Sequence, residues 1–388
     1  MKTRPFQPSD RDAVNALHRS VWWPERSDAG WAWLDANPAR LEIKAEAGWV
    51  VDAAPGPGES QRQDQSQGRA GAFVGNFIQR FWYGDQSHYG ATGFSTIVPP
   101  TMRGASRSLF RTLLKQPGVF AGYTFNANNR SAPLYARHGM AAWPPRTHDL
   151  KLSWIIDPAV CLHSRLLREV VKRAPHLTDP YRERFMNPRL RDNRATGLPA
   201  GVTPLSDLHD ESRFGDFWTA LRHEGRLVAD RSPEMLRWRL ADPDRTIAPV
   251  LLAHERDGAI TGYAMAVLAK ATPIEPAVLE IIDLIALRDE PHAIPALMQA
   301  LLAEAQGHGA AKARLQVLDE EMLRRLGPYA ASARREGGWG HCHVAFAPDG
   351  PPHGAWSPTP FDGDHGICQR PVPIETGALA DRDGVRAA

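Results

Sequence analysis

The chain predicts an α/β protein made of two tandem units. Three observations carry this: its length, an internal repeat, and an order of strand-like and helical segments that occurs twice. At 388 residues it exceeds one ordinary domain and suits two of about 150 to 200 residues, each able to bury a core. The repeat joins GWAWLDANPAR (Gly30 to Arg40) to MLRWRLADPDR (Met235 to Arg245). Superposing Trp33 on Trp238 also superposes Ala36 on Ala241, Asn37 on Asp242 and Pro38 on Pro243, an offset of 205 residues that measures a domain, not a solenoid unit.

The elements then follow in order. After each copy of the repeat comes an alternating apolar run with a central glycine, Ala72 to Phe77 and Ile260 to Leu268, which reads as a strand. A second strand-like run follows, Gly93 to Val98 and Leu279 to Leu287, and each leads into a helical pattern, Leu109 to Lys115 and Ile294 to Gln306. The units are expected at residues 1–156 and 201–380. The segment 157–200 acts as linker, with a helix from Val160 to Arg173 and then several prolines. Residues 53–70, rich in Pro, Gly, Gln and Ser, read as a mobile insertion absent from the second copy, and the tail from Asp381 reads as disordered.

Composition narrows the function. Lys and Arg number 46 against 44 Asp and Glu, a net charge of +2, so nothing electrostatic favours a nucleic-acid or membrane-surface partner. No run approaches the ~18 apolar residues a spanning helix needs, and no apolar leader opens the chain, so a cytoplasmic address is expected. Cys161, Cys342 and Cys368 do not form a paired disulfide framework.

The stretch NNRSAPLYARHGM, Asn128 to Met140, couples a helix start to one tyrosine at a fixed distance. Asn128 and Ser131 suit a helix opening, Pro133 is tolerated in a first turn, and Gly139 ends the helix after Tyr135. The order of Asn, small residue, Leu, Tyr, basic residue, Gly and apolar residue resembles the last helix and turn of GNAT-type acyl-CoA N-acyltransferases. That resemblance implies two units in tandem, each a mixed sheet splayed open at its centre and flanked by helices. It also implies that the hydroxyl of Tyr135 protonates the departing coenzyme A thiolate.

Further positions follow from the same resemblance. The stretch from Val98 to Leu114 falls where GNAT enzymes bind the coenzyme A pyrophosphate on backbone amides and a helix N-terminus. Arg103, Gly104, Ala105, Ser106, Arg107 and Ser108 form this loop, with Ser106 and Ser108 at positions the family fills with glycine. Serine keeps its amide and serves wherever φ is negative. The strand near Ile97 and Val98 would supply an amide to the thioester oxygen, and Asn128 and Ser131 belong to the cofactor side. Acetyl-CoA or another acyl-CoA is the expected co-substrate, and an amine of a small molecule or peptide the acceptor. Trp22 and Trp23, followed by Pro24, offer an aromatic platform for that acceptor.

The second copy replaces the basic loop with Asp289, Glu290 and Pro291; two acids repel a pyrophosphate and proline removes an amide. Its downstream segment has Tyr329 but no preceding Asn, so this half is expected to be structural or substrate-positioning. Glu42, Glu46, Asp85 and His88 remain as general bases, with none assigned. His341, Cys342 and His343 alternate faces along a strand, which suits a structural metal poorly, and no metal is expected. Asp362-Gly363-Asp364 is a turn signal. Two alternatives stand beside the enzyme: a non-catalytic binding module, and the same fold acting on a carrier-protein thioester.

Overall fold

The computed structural model describes residues 2–53, 70–129, 131–174, 176, 197–272, 274–337 and 339–372. The insertion expected at 53–70 and the tail from Asp381 lie almost wholly outside them. Two mixed sheets of eight strands, flanked by helices, form an α/β architecture.

The first sheet runs in the order β1 (Thr3–Pro5), β2 (Gly48–Asp52), β3 (Ala70–Tyr83), β4 (Gln86–Ile97), β5 (Ala121–Asn128), β15 (Trp339–Phe346) and β6 (Ala141–Ala142), with β9 (Leu227–Ala229) paired to β3. The second runs β14 (Arg334–Glu336), β7 (Lys151–Ile155), β13 (Lys312–Gln316), β12 (Val278–Ala286), β11 (Ala259–Lys270), β10 (Val250–Arg256) and β8 (Val202–Pro204), with β16 (Arg370–Pro371) on β11. The last strands are exchanged. β7, which closes the N-terminal half of the chain, lies antiparallel to β13 along its whole length, while β15 lies antiparallel to β5. Each sheet therefore takes hydrogen bonds from the other half of the chain.

Both sheets open at the centre. β4 and β5 pair in parallel only at Gly90–Ala121, Ala91–Gly122 and Thr92–Tyr123, then part. β12 and β13 do the same after Val278–Lys312, Leu279–Ala313 and Glu280–Arg314. The splayed sheets expected from the resemblance are thus present in both halves.

The helices of the N-terminal half are α1 (Arg11–Ser20), α2 (Asp28–Asp35), α3 (Pro38–Glu42), α4 (Ala105–Leu114), α5 (Ala132–Arg137) and α6 (Pro158–Arg173). Those of the other half include α7 (Arg213–Arg222), α8 (Pro233–Leu240) and α9 (Ala293–Gly307). Among the described residues no helix is long and apolar enough to cross a membrane. The sequence repeat corresponds to α2 and α8, and it repeats their caps: Ser27 Oγ accepts from Gly30 N at 3.0 Å, and Ser232 Oγ accepts from Met235 N at 3.3 Å.

These two helices meet through a reciprocal tryptophan contact. Trp33 and Trp238 stack at 4.6 Å with 11° between their planes. Each indole N–H donates to the other residue's carbonyl, Trp33 Nε1 to Trp238 O at 2.7 Å and Trp238 Nε1 to Trp33 O at 3.3 Å. Between the sheets runs the segment after β15, with short 3₁₀ turns at Pro360–Asp362 and Asp364–Gly366. Buried arginines of the second half hold it: Arg231 pairs with Asp283 at 2.7 Å and Asp362 at 2.9 Å, and Arg239 donates to Phe361 O at 2.9 Å.

Truncating either stacked tryptophan to Ala should cost about 3–5 kcal/mol in urea unfolding. Because the two rings and their bonds act as one unit, the double variant should fall short of the summed cost by about 0.5–1.5 kcal/mol. Strict additivity would show that the stack does not couple the halves.

Candidate active site

The site begins where β4 leaves β5. Phe73 is opposite Ile97 and Gly75 opposite Phe94, so β4 carries one residue more than β3 at this point, a β-bulge. Ser95 takes up the bulge at φ +49°, a left-handed conformation that a non-glycine residue adopts only under constraint. Its amide and hydroxyl face the thiol of Cys368. β5 carries a matching irregularity: His341 is opposite Ala127 and His343 opposite Thr124, which leaves an extra residue at Phe125–Asn126.

A cavity of about 1450 Å³ fills the opening and extends toward the second sheet. Gly93, Ser95, Thr96 and Val98 form one lip, and Thr124, Asn126 and Asn128 the other. Ile97 does not reach it, since its side chain is buried and its backbone pairs with Phe73. The residues displaced from the ladder are therefore Ser95 and Thr96, just before the strand end singled out in the sequence, of which Val98 lines the cavity.

At the mouth stands the N-terminus of α4. Gly104 occupies the N-cap at φ +94° with no side-chain cap, so the first-turn amides have no side-chain acceptor there. Only glycine takes that angle without strain. Ser106 and Ser108 lie inside the helix with negative φ, so exchanging glycine for serine at these positions costs the loop nothing in backbone conformation. Arg103, Gly104 and Ser106 line the cavity. The side chains of Ala105, Arg107 and Ser108 do not: Ala105 is packed in the core beneath, and Ser108 Oγ bonds to Thr3 Oγ1.

Asn128 and Ser131 set the start of α5 by bonding each other, with Asn128 N donating to Ser131 Oγ at 2.9 Å and Ser131 N to Asn128 Oδ1 at 3.0 Å. Both line the cavity. One turn on, Tyr135 is 5% exposed, edge-on to Phe110 at 4.8 Å and stacked on His343 at 5.9 Å. Its phenol lies beside the hydroxyls of Thr124 and Thr96, and burial, helped by the charge of Asp364, pushes it up to about 12. Trp22 and Trp23, 42% and 41% exposed, stand on the rim just past α1.

None of the four bases considered from sequence reaches the cavity. Glu42 pairs with Arg80 at 3.0 Å, and Asp85 sits at the β3–β4 turn against His223 at 3.0 Å; neither they nor Glu46 and His88 belong to the lining. The structure places a different carboxyl there. Asp364, in the second of the two 3₁₀ turns, is 5% exposed, lines the cavity and accepts the backbone N–H of Phe125. Burial raises it to about 7. Sequence offered only a turn signal at this position. His18 also lines the cavity as a buried ring, held by Pro24 O at 2.9 Å and lowered by burial to about 4, hence neutral.

The corresponding loop of the second half is closed by its own side chains. Arg226 donates to Ala286 O at 3.0 Å, Arg325 donates to Leu287 O at 2.8 Å and Glu290 O at 3.0 Å, and Glu290 pairs with Arg256 at 2.5 Å. Residues 286–293 do not line the cavity. His341 and His343 project from the face of β15 opposite Cys342, which is buried in the core, and His148, Asp149 and His341 bring their ligand atoms within 4.8 Å of one another.

No protein-family model matches the chain, and no curated protein matches it in sequence. Among solved structures it is similar to a probable N-acyltransferase from Enterococcus faecalis V583 (10% identity, TM-score 0.46, covering 89% of this chain and 72% of that one). It is also similar to GCN5-related N-acetyltransferases from Anabaena variabilis ATCC 29413 (13%, 0.48, 89% and 72%) and Kribbella flavida (12%, 0.48, 89% and 71%). At such identities the likeness concerns the fold and says nothing of activity.

The buried carboxyl makes stability depend on pH. Folding favours its protonated form, so its contribution is complete below pH 4 and is lost as pH rises toward 7, by roughly 4 kcal/mol for a shift of this size. Asp364→Asn mimics the protonated acid and escapes that loss. Its melting temperature should match the wild type near pH 4 and exceed it at pH 8; a constant difference between the two pH values would show that Asp364 does not titrate in this range.

Proposed function

We propose that the chain is an acyl-CoA-dependent N-acyltransferase in which the half ending near residue 156 carries the chemistry. The half from about 201 to 380 then serves as structure and substrate-positioning surface. The observation that carries this reading is the opening between β4 and β5, with the uncapped start of α4 at one end and Tyr135 beside it. Helix amides with no side-chain acceptor and a neighbouring arginine suit a pyrophosphate. The strand edges of Gly93–Ile97 and Thr124–Asn128, unpaired with each other, suit the amides of a pantetheine arm.

In this reading the acceptor amine attacks the thioester carbon, the carbonyl oxygen takes a hydrogen bond from an amide of the β4 end near Val98, which lines the cavity, and the C–S bond breaks. Tyr135 stays protonated throughout the physiological range. A coenzyme A thiol, with a pKa of about 8.5, is the stronger acid by roughly 3.5 units, so complete transfer from the phenol would be uphill by about 5 kcal/mol. Tyr135 therefore acts chiefly by donating a hydrogen bond to the departing thiolate, and proton transfer completes as the thiolate leaves.

Calorimetry with coenzyme A should give one molecule per chain, because Arg226 and Arg325 close the second loop. Arg103→Glu should weaken that binding at least tenfold, about 1.4 kcal/mol. Unchanged affinity in a folded variant, or two molecules per chain, would contradict the assignment. Should coenzyme A not bind while a pantetheine-loaded carrier protein does, the carrier-protein reading takes its place.

Tyr135→Phe should keep coenzyme A affinity and fold while lowering turnover by roughly 10². The loss should be smaller with more activated thioesters, whose thiolates need less help. Equal rates for wild type and variant would make Tyr135 a packing residue only.

A further inference from the structure

We propose that Asp364, supplied by the second half of the chain, is the group that takes the proton from the acceptor amine at the site of the first half. The proposal rests on the acyl-transfer reading above and adds the residue that reading lacks.

Three features single out this carboxyl. The first is position. Its turn bridges the two lips of the opening: the carboxyl accepts the amide of Phe125 on β5, and Cys368, whose own amide bonds to Asp364 O at 3.0 Å, lies against Ser95 on β4. The second is its partners. Among the described residues, the other carboxylates lining the cavity are all in ion pairs: Glu25 with Arg19 at 2.6 Å, Asp242 and Asp244 with Arg26 at 3.5 Å, Glu275 with Arg168 at 3.3 Å and Glu336 with Lys312 at 2.5 Å. An arginine or lysine beside a carboxylate stabilises its charge and weakens it as a base. Among the described residues Asp364 has no such cation, and its buried Oδ1 has no hydrogen-bond partner. The third is rigidity. Two residues before it, Asp362 is fixed by Arg231 at 2.9 Å and by Trp356 Nε1 at 2.8 Å, so the chain is anchored just ahead of the turn.

At pH 7 an alkylamine enters as its ammonium ion and gives one proton to Asp364 before it attacks. The neutral nitrogen then forms the C–N bond to the acyl carbon and the C–S bond breaks with its electron pair on sulfur. Tyr135 hydrogen-bonds the thiolate, the surplus proton on nitrogen passes to that thiolate, and Asp364 releases its own proton to water in the cavity. Neutral His18 is the competing acceptor; burial holds it at about 4, a weaker base than a carboxyl held at about 7.

Two measurements on the full chain test this. The first is a crystal structure with coenzyme A, which should place the sulfur in the opening with the Asp364 carboxyl within about 6 Å, the span of one bridging water. The second compares wild type with D364N for acetyl-CoA turnover at pH 7 on two probes, a primary alkylamine and an arylamine. The variant should bind coenzyme A within threefold of wild type and lose about 100-fold in kcat on the alkylamine, which must shed a proton, and much less on the arylamine, which is already neutral. Coenzyme A missing from the opening would overturn the acyl-transfer reading itself. Coenzyme A in the opening with Asp364 beyond one water of the sulfur, or equal losses on both amines, would overturn the role of Asp364 alone.

Discussion

The parting of β4 from β5 after three residue pairs is the constraint on which the rest of the site depends. Beyond Thr92 and Tyr123 neither strand can bond to the other, and buried backbone groups left without partners are costly. Side chains and turns from the second half meet part of that need. The carboxyl of Asp364 takes the amide of Phe125, Gln316 Nε2 donates to Phe125 O at 3.3 Å, and the thiol of Cys368 faces the amide of Ser95. What stays open between the lips is the cavity. In the second sheet β12 and β13 part in the same way, and past their last pair Asp283 of β12 belongs to a buried charged cluster with Arg231 and Tyr263, Arg231 also pairing with Asp362. The two halves share a backbone device and differ in the side chains beside it.

The exchange of β7 and β15 gives the tandem arrangement a physical reason. The site's own half lacks the strand that lies along β5, and β15 supplies it together with His343, on which Tyr135 stacks. The turn carrying Asp364 follows on the same segment. The second half thus forms part of the opening in the first sheet, through one strand, one turn and the tryptophan stack.

Local features were the most legible in the sequence. The repeat around Trp33 and Trp238 was visible because caps and helix patterns recur at a fixed offset, and the start and stop of α5 because Asn128, Ser131, Pro133 and Gly139 each impose a backbone conformation. The serines in the α4 loop were readable only as a condition on φ; the structure meets it, with Gly104 taking the one left-handed angle. Partnership across long separations was not legible. A strand pattern at Lys151–Ile155 or Trp339–Phe346 carries no mark of which sheet it joins. Asp364 looked like half of a turn because its place in the cavity wall depends on Phe125, more than two hundred residues away, and on a strand irregularity that depends on pairing.

Hydrogen–deuterium exchange of the full chain with and without coenzyme A tests the central claim most directly. If acyl-CoA enters the opening of the first sheet, exchange should slow at residues 95–107 and 124–135 and stay unchanged at 286–293. Slowing at 286–293, or no change in the first two segments at saturating coenzyme A, would contradict the account.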